Sequence, residues 1–231
     1  DDENEHADAT EIYARLARRM LTWLSSRTSA GILFETDTRL RPNGESGLLV
    51  SSVEAFRQYQ MQSAWVWEHQ ALTRGRFCAG DTEIGQAFES IRVEVLRQAR
   101  DLDKLRGEVL TMRRKMLDAH ANNSGLFDIK HDRGGLIDVE FIVQYLVLGY
   151  AAKHPALSGN LGNIGLLKIA ADLGLIPAEL GEQVRNAYRE LRRLQHGLRL
   201  NGAEFARVEP VAAAAYRDAV LALWHSVFGA Q

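Results

Sequence analysis

The sequence contains many long helical patterns but only two short strand patterns, and this imbalance limits the folds that it can form. The first strand pattern spans residues 31–40 and the second spans residues 46–51, with a turn rich in Pro, Asn and Gly between them. Two strands alone do not form a stable sheet in water. Either these segments pair with strands outside this chain, or the helices of the chain cover them.

Apolar residues at helical spacing cover most of the remaining sequence. A capped amphipathic helix is predicted from Thr10 to about Ser26, and the acidic stretch before it, DDENEHADAT, is expected to be an exposed loop. Further helical patterns lie in the segments 52–61, 63–76, 82–99, 101–121, 136–153, 161–174, 178–201 and 211–228. The sequence therefore predicts a mainly α fold, with a small α/β part at residues 1–80 and a helical bundle at residues 81–231.

Composition limits the classes of function. The 231 residues are 46% apolar and 25% charged, which is typical of a globular chain. Cys78 is the only cysteine, which excludes a disulfide framework and favours a reducing, cytoplasmic environment. No apolar run is long enough to span a bilayer, so no membrane partner is expected. The sequence pI is near 6.4 and no basic stripe is interleaved with aromatic residues, so no nucleic-acid partner is expected either.

A carboxylate and two arginines alternate at the end of the first strand pattern. On an extended backbone Asp37, Arg39 and Arg41 would share one face. The loop that follows contains Ser46 and Gly47, and its backbone N–H groups would suit an anion. The cluster is either a solvated edge with internal ion pairs or part of a magnesium and phosphate site. One carboxylate is too few for a two-metal site by itself.

A second candidate lies in FDIKHDRGGLIDVEF, residues 127–141. Gly134 and Gly135 precede a helix whose first turns carry Asp138 and Glu140, and Lys130 lies upstream. The free N–H groups of a helix N-terminus attract anions. The two carboxylates either cap the helix or face an active site, and the Gly-Gly pair, which allows close backbone approach, favours the second alternative.

The segment 63–76, SAWVWEHQALTRGR, contains two tryptophans and a histidine. At this spacing Trp65 and Trp67 are more typical of a core than of a ligand-stacking surface. His69 has no second His or Cys near it in the sequence, so it does not indicate a zinc site.

Three long motifs carry a resemblance to a known family. They are TSAGILFETDTRLRPNGESGLLV, WVWEHQALTRGRFCAGD and FDIKHDRGGLIDVEFIVQYLVLGY. In this order and spacing they resemble the bacterial glutamine synthetase adenylyltransferases, which are bifunctional adenylyltransferase/adenylyl-removing enzymes. The similarity runs over essentially the whole chain and is greatest to the C-terminal, adenylylating half.

This resemblance implies a fold and a reaction. The fold would be an incomplete polymerase-beta-like nucleotidyltransferase domain at residues 1–80, followed by the helical bundle. The reaction would be transfer of AMP from ATP to a tyrosine hydroxyl of glutamine synthetase, with two Mg²⁺ ions. The implied partners are glutamine synthetase, ATP and a PII-type signalling protein, in the regulation of nitrogen assimilation in the cytoplasm.

The resemblance also implies roles for individual residues. In this superfamily a Gly-Ser motif with an Asp-x-Asp pair supplies two metal-binding carboxylates, and Asp37 matches the third. Arg39 and Arg41, with Ser46 and Gly47 in the adjacent loop, are candidates for triphosphate contacts. No Gly-Ser…Asp-x-Asp motif precedes Asp37. The chain is therefore expected to be a fragment that begins downstream of that motif and is inactive alone. A de-adenylylating, phosphorolytic unit and a helical docking module for glutamine synthetase or a PII-type regulator are the alternatives.

Overall fold

The computed structural model describes residues 2–32 and 36–229. The chain divides into two compact units, the first containing residues 1–68 and 77–91 and the second containing residues 69–76 and 92–231. The domain boundary predicted at residues 80 and 81 stays a prediction.

Helices dominate the part of the chain that the structure describes, which confirms the mainly α fold class. They are α1 (Asp2–Ser25), α2 (Val53–Gln62), α3 (Val66–Leu72), α4 (Thr82–Leu96), α5 (Leu102–Ala119), α6 (Leu136–Tyr150), α7 (Gly162–Asp172), α8 (Ala178–Leu200) and α9 (Pro210–Phe228). Short 3₁₀ helices span Gly44–Ser46 and Pro155–Ser158. None of the helices in the described ranges combines the length and the apolar character needed to cross a membrane.

Local side chains determine where several helices begin. The Ser52 hydroxyl accepts a hydrogen bond from the backbone N–H of Ala55 at 3.1 Å, so that it caps α2. The Asp101 carboxylate caps α5 in the same way by accepting from the N–H of Lys104 at 2.9 Å. The predicted helices from α2 onward are confirmed, and most end a few residues earlier than the apolar pattern.

The N-terminal prediction is wrong in its boundary. Helix α1 begins at Asp2 instead of near Thr10, so Thr10 lies inside the helix and the expected loop is helical. Acidic residues are favourable near a helix N-terminus because they interact with its dipole, and the stretch DDENEHADAT is rich in them.

Both strand predictions are wrong for the residues that the structure describes. Residues 36–41 and 46–51 contain no strand, and residues 33–35 of the first pattern lie outside the described residues. The nearest pairing is an isolated bridge between Thr28 and Gly31. A strand needs a neighbouring strand to pair with its backbone N–H and C=O groups. In the described part of the first unit, no strand pairs with either of these segments.

The described sheet is a small one that the sequence patterns did not indicate. Strand β1 (Phe127–Asp128) pairs antiparallel with β2 (Arg207–Val208), with Phe127 opposite Val208. Strand β1 lies in the segment between α5 and α6, and β2 lies between α8 and α9.

Helix α6 is the centre of the core of the second unit. Residues Ile137, Phe141, Leu146 and Leu148 are 3%, 6%, 3% and 0% exposed, so this helix is largely buried. Helices α5, α7, α8 and α9 pack against it. A helix buried on most of its circumference is expected to be apolar nearly all round, so the polar residue Asp138 within it needs a specific partner.

The tryptophans of the first unit are not core residues. Trp65 is 68% exposed and Trp67 is 39% exposed, so the prediction that they pack in a core is wrong. Helix α3 begins only at Val66, so Trp65 lies before it and helical spacing does not apply to that side chain. The buried residues of this short helix are Glu68, His69, Gln70 and Leu72.

Candidate active site

Asp37 and Arg39 form a direct ion pair on a non-helical segment of the first unit. The Arg39 guanidinium donates from Nε to Oδ1 at 3.0 Å and from Nη2 to Oδ2 at 2.7 Å. The backbone N–H of Arg39 also donates to Oδ1, at 2.9 Å. The structure therefore brings these two predicted site residues together without a strand, through a local turn of the kind that Asp side chains favour.

This contact has an electrostatic consequence for the carboxylate. The side-chain hydrogen bonds from Arg39 lower the pKa of Asp37 to about 2, and the backbone hydrogen bond adds to the effect. Asp37 is therefore an anion at neutral pH. Its side chain remains 53% exposed, so lone pairs of the carboxylate still face solvent.

Arg41 holds the loop that follows. Its Nη1 donates to the Thr38 carbonyl oxygen at 2.6 Å, and its Nε donates to the Gly47 carbonyl oxygen at 3.4 Å. Asn43 adopts a left-handed conformation with φ 62°, which turns the chain into the 3₁₀ helix. Arg41 thus joins the two sides of the turn. If Arg41 also bound a phosphate, it would have to do so alongside these two hydrogen bonds.

Ser46 and Gly47 also have partners inside this turn. The Ser46 hydroxyl donates to the Asn43 carbonyl oxygen at 2.8 Å. The Gly47 N–H donates to the Gly44 carbonyl oxygen at 3.1 Å. A Cβ at position 47 would lie 1.9 Å from the Pro42 carbonyl oxygen, so this tight turn requires glycine. The loop is well defined by its own hydrogen bonds, and anion binding by Ser46 and Gly47 stays a prediction.

In the second unit, Asp138 is buried among hydrogen-bond donors. Its Oδ1 accepts from Nε of Arg113 at 2.6 Å, and its Oδ2 accepts from the N–H of Gly134 at 2.7 Å. Asp138 is 0% exposed and the Arg113 side chain is 1% exposed. Arg113 also donates to the His131 carbonyl oxygen at 2.8 Å. This carboxylate therefore ties the start of α6 to α5, and an active-site role for it stays a prediction.

The two glycines allow this close approach. Gly134 has φ 83°, and a Cβ there would lie 2.4 Å from Cγ of Arg217. A Cβ on Gly135, the N-cap of α6, would lie 2.6 Å from the Ile129 carbonyl oxygen. The Gly-Gly pair thus permits close packing at the entry to the helix, while the active-site position that it was expected to favour for Asp138 and Glu140 stays a prediction. Lys130, also a predicted site residue, is exposed.

Glu140 belongs to a separate polar cluster of the second unit. Its Oε1 lies 3.0 Å from Nη1 of Arg74 and accepts from the Tyr188 hydroxyl at 3.3 Å. Burial raises the pKa of Tyr188, and the nearby charge of Glu140 adds to this effect, so the phenol stays protonated and remains a donor. Asp138 and Glu140 therefore have different partners although they are two residues apart.

Arg113 is the residue that the sequence reasoning missed. It lies four residues after Val109 and eight after Leu105, on the buried side of α5. An arginine in phase with apolar positions is a signal for a buried ion pair, because a buried arginine needs an anionic or carbonyl partner.

The described residues do not by themselves form the expected two-magnesium site. They contain no group of three or more His, Cys, Asp or Glu side chains that could hold a metal ion. Asp37 is anionic and exposed, so it fits the role of one ligand. A two-metal site that clamps ions about 3.5–4 Å apart needs further carboxylates.

Comparison with known proteins supports the family resemblance. Residues 1–91 match the family described as glutamate-ammonia ligase adenylyltransferase, and residues 103–204 match the PII-uridylyltransferase family. Bifunctional glutamine synthetase adenylyltransferase/adenylyl-removing enzymes are similar over nearly the whole chain. The enzyme of Aromatoleum aromaticum is 65% identical over 96% of the chain, and that of Nitrosomonas europaea is 58% identical over 98%.

These relatives are much longer than the chain described. The match covers 24% of the Aromatoleum aromaticum enzyme and 26% of the Nitrosomonas europaea enzyme. A third relative, from Bordetella bronchiseptica, is 58% identical over 98% of the chain and 24% of its own length. The chain thus spans about a quarter of the length of its relatives, and its high-identity homologues over nearly its whole length are bifunctional glutamine synthetase adenylyltransferase/adenylyl-removing enzymes.

Proposed function

We propose that these residues form part of the unit that transfers AMP from ATP to a tyrosine hydroxyl of glutamine synthetase. The observation that carries the proposal is the exposed, anionic Asp37 held by Arg39, in a chain 65% identical to a bifunctional adenylyltransferase/adenylyl-removing enzyme. The adenylylating direction is supported by the sequence motifs WEHQAL and FDIK, which resemble the C-terminal unit of that family.

The proposal assigns Asp37 one ligand position in a site for Mg²⁺ and ATP. The described residues hold no complete metal site. The proposal therefore places the other Mg²⁺ ligands in parts of the full-length enzyme beyond the matched quarter. Bound Mg²⁺ would supply charge stabilisation for phosphoryl chemistry. Arg39 orients Asp37 and keeps it ionised, and Arg41 holds the loop in place beside it. Both arginines are proposed triphosphate contacts. We expect the 231 residues alone to transfer no AMP.

A chimeric enzyme tests this assignment. The 231 residues would replace the matching segment of the Aromatoleum aromaticum enzyme, and the rate of AMP incorporation into glutamine synthetase would be measured at saturating Mg-ATP. Asp37→Asn keeps the shape of the side chain but removes its charge. We expect the rate to fall by about a thousandfold or more, which corresponds to about 4 kcal/mol of lost transition-state stabilisation.

Asp172→Asn provides the matched control. Asp172 is also an exposed carboxylate in an ion pair, with Lys168 at 2.5 Å, and it has no proposed role in catalysis. We expect this variant to retain the rate of the parent chimera. A near-parent rate for Asp37→Asn, with circular dichroism showing a folded protein, would overturn the site assignment.

The same chimera distinguishes the two directions of the reaction. Removal of AMP from adenylylated glutamine synthetase by phosphorolysis would be measured in parallel. If Asp37→Asn abolished only this removal and left adenylylation intact, the de-adenylylating alternative would replace the proposal.

A docking module is the second candidate function. It is supported by the match of residues 103–204, which include helices α6, α7 and α8, to the PII-uridylyltransferase family. The test is titration of the purified chain with glutamine synthetase, and separately with a PII-type protein, in the absence of nucleotide. Saturable binding would support docking, and absence of binding to both proteins would exclude it.

A further inference from the structure

Helix α8 of the second unit carries a row of basic side chains along one face. Arg185, Arg189, Arg192, His196 and Arg199 follow one another at alternating intervals of four and three residues. Side chains at these intervals are neighbours on the surface of a helix. With a rise of 1.5 Å per residue, the row is about 20 Å long.

The middle of this row borders an open groove of about 650 Å³, which we call the α8 groove. Its lining includes the arginines and the histidine of the central row, the tyrosine ring of α8 and apolar side chains from α7 and the end of α8. These residues are Ile164, Tyr188, Arg189, Arg192, His196 and Leu200. Leu200 is 87% exposed, so the groove combines positive charge with apolar surface that solvent reaches.

Two guanidinium groups of the α8 groove have neutral partners. Arg189 donates to the side-chain oxygen of Asn186 at 2.5 Å, and Arg192 donates to that of Gln195 at 3.4 Å. Within the described part of the chain, no carboxylate lies within ion-pairing distance of either. Arg193, which also lines the groove, differs because it pairs with Glu190 at 2.8 Å. The groove therefore presents positive charge that its own carboxylates do not neutralise.

The wall of the groove is fixed by buried hydrogen bonds. Tyr188 is 7% exposed, and its hydroxyl accepts from Nδ2 of Asn163 on α7 at 2.8 Å and donates to Glu140 on α6 at 3.3 Å. Three helices thus hold the tyrosine in one position. A preformed surface loses less conformational entropy when a ligand binds than a surface that must first become ordered.

The length of the row and the apolar lining together indicate the kind of ligand. A single phosphate would contact one or two guanidinium groups and would use neither feature. An extended peptide advances about 3.3 Å per residue, so acidic side chains two residues apart are separated by about 6.6 Å. This spacing is similar to the distance of about 5.4 Å between successive turns of a helix. We propose that the α8 groove is a docking site for an extended acidic segment of a partner protein, with apolar residues among its carboxylates.

This inference goes beyond adenylyl transfer and does not depend on it. The test uses the 231-residue chain and a fluorescein-labelled peptide of sequence LEELEEL, with fluorescence anisotropy as the readout and no nucleotide present. The peptide LQQLQQL, in which uncharged glutamine replaces each glutamate, is the matched control. We expect LEELEEL to bind, LQQLQQL to bind at least about tenfold more weakly, and added salt to weaken the first interaction by screening.

A pair of matched variants locates the binding site. In Arg189→Glu/Arg192→Glu the groove charge is reversed, and we expect about tenfold or weaker binding of LEELEEL because attraction becomes repulsion. Arg114→Glu/Lys115→Glu makes the same change in net charge at exposed positions of α5, and it should leave binding unchanged. Circular dichroism establishes that both variants are folded.

Three results would overturn the proposal. The first is absence of LEELEEL binding to the unaltered chain, and the second is an equal loss of binding in both variants, which would indicate non-specific charge attraction. The third is displacement of LEELEEL by inorganic phosphate or ATP at matched ionic strength, which would assign the groove to a phosphate ligand. Because the assay contains neither glutamine synthetase nor nucleotide in its main arm, its outcome is separate from that of the chimera experiment.

Discussion

Replacing Asp138 by Asn should strongly destabilise the protein. The substitution keeps an acceptor for the N–H of Gly134, which now donates to Oδ2 at 2.7 Å. It removes the negative charge that faces Arg113 across a 2.6 Å contact. Because the side chains of Asp138 and Arg113 are 0% and 1% exposed, water cannot replace the lost carboxylate.

The expected magnitude follows from this burial. Removing one partner of a buried ion pair costs about 3–5 kcal/mol, because the remaining charge stays in the interior without compensation. For a domain of about 150–250 residues, each kcal/mol lowers the melting temperature by about 2–4 °C. We therefore expect Asp138→Asn to lower the melting temperature by about 6–20 °C.

A second substitution separates the charge effect from the loss of packing. Arg113→Met in the Asp138→Asn background removes the uncompensated charge, so the double variant should be more stable than Asp138→Asn alone. Glu190→Gln is the control for an exposed pair, since Arg193 and Glu190 are 71% and 37% exposed, and it should cost less than about 1 kcal/mol.

The measurement is urea unfolding followed by circular dichroism, with calorimetry for the melting temperature. A cost below about 1 kcal/mol for Asp138→Asn would refute the reasoning, because it would place the carboxylate in the class of exposed pairs. A double variant no more stable than Asp138→Asn would show that charge burial is not the cause.

Two further predictions concern Asp37 and the glycine at the start of α6. The hydrogen bonds from Arg39 lower the pKa of Asp37 from 3.8 to about 2, so their stabilising contribution is present above about pH 4 and is lost as the pH falls through 2. In Arg39→Ala, NMR titration of the Asp37 carboxyl should show its pKa returning toward the ordinary range. A pKa that stays near 2 in this variant would contradict the proposed cause. Gly134→Ala should destabilise by about 1–3 kcal/mol in urea unfolding because its Cβ would lie 2.4 Å from Cγ of Arg217 at φ 83°. Gly107→Ala, where the structure has open space, should instead stabilise α5 by about 0.5–1 kcal/mol, and equal effects at the two positions would show that the close contact is not decisive.

The sequence predicted the helices well because their determinants are local. Helix α6 was expected at residues 136–153 and spans Leu136–Tyr150, while α8 was expected at 178–201 and spans Ala178–Leu200. The hydrogen bonds of a helix join residues four apart, and its apolar stripe is visible within a single segment. Gly134 and Gly135, which allow close packing before α6, were also visible as local turn residues.

The strand predictions failed because the partners of a strand are not local. Residues 46–51 have a strand-like pattern, but no strand is described there. The pairing of Phe127 with Val208, in contrast, joins segments that are far apart in the sequence and too short to have a pattern of their own. Alternation of side chains indicates which faces a strand would have, but it does not identify the strand that would pair with it.

For the candidate sites, the sequence by itself determined which residues have the chemistry, and the tertiary structure decided which of them meet. Asp37 and Arg39 are two residues apart, and an ion pair between such neighbours was one of the two alternatives that the sequence left open. Arg113 and Asp138 lie on different helices, and only the packing of α5 against α6 makes them a buried pair. The α8 groove likewise needs Ile164 of α7 beside the basic row of α8. Charge and helical phase are encoded in each segment, whereas burial and ion pairing across segments depend on how the apolar faces of the helices pack together.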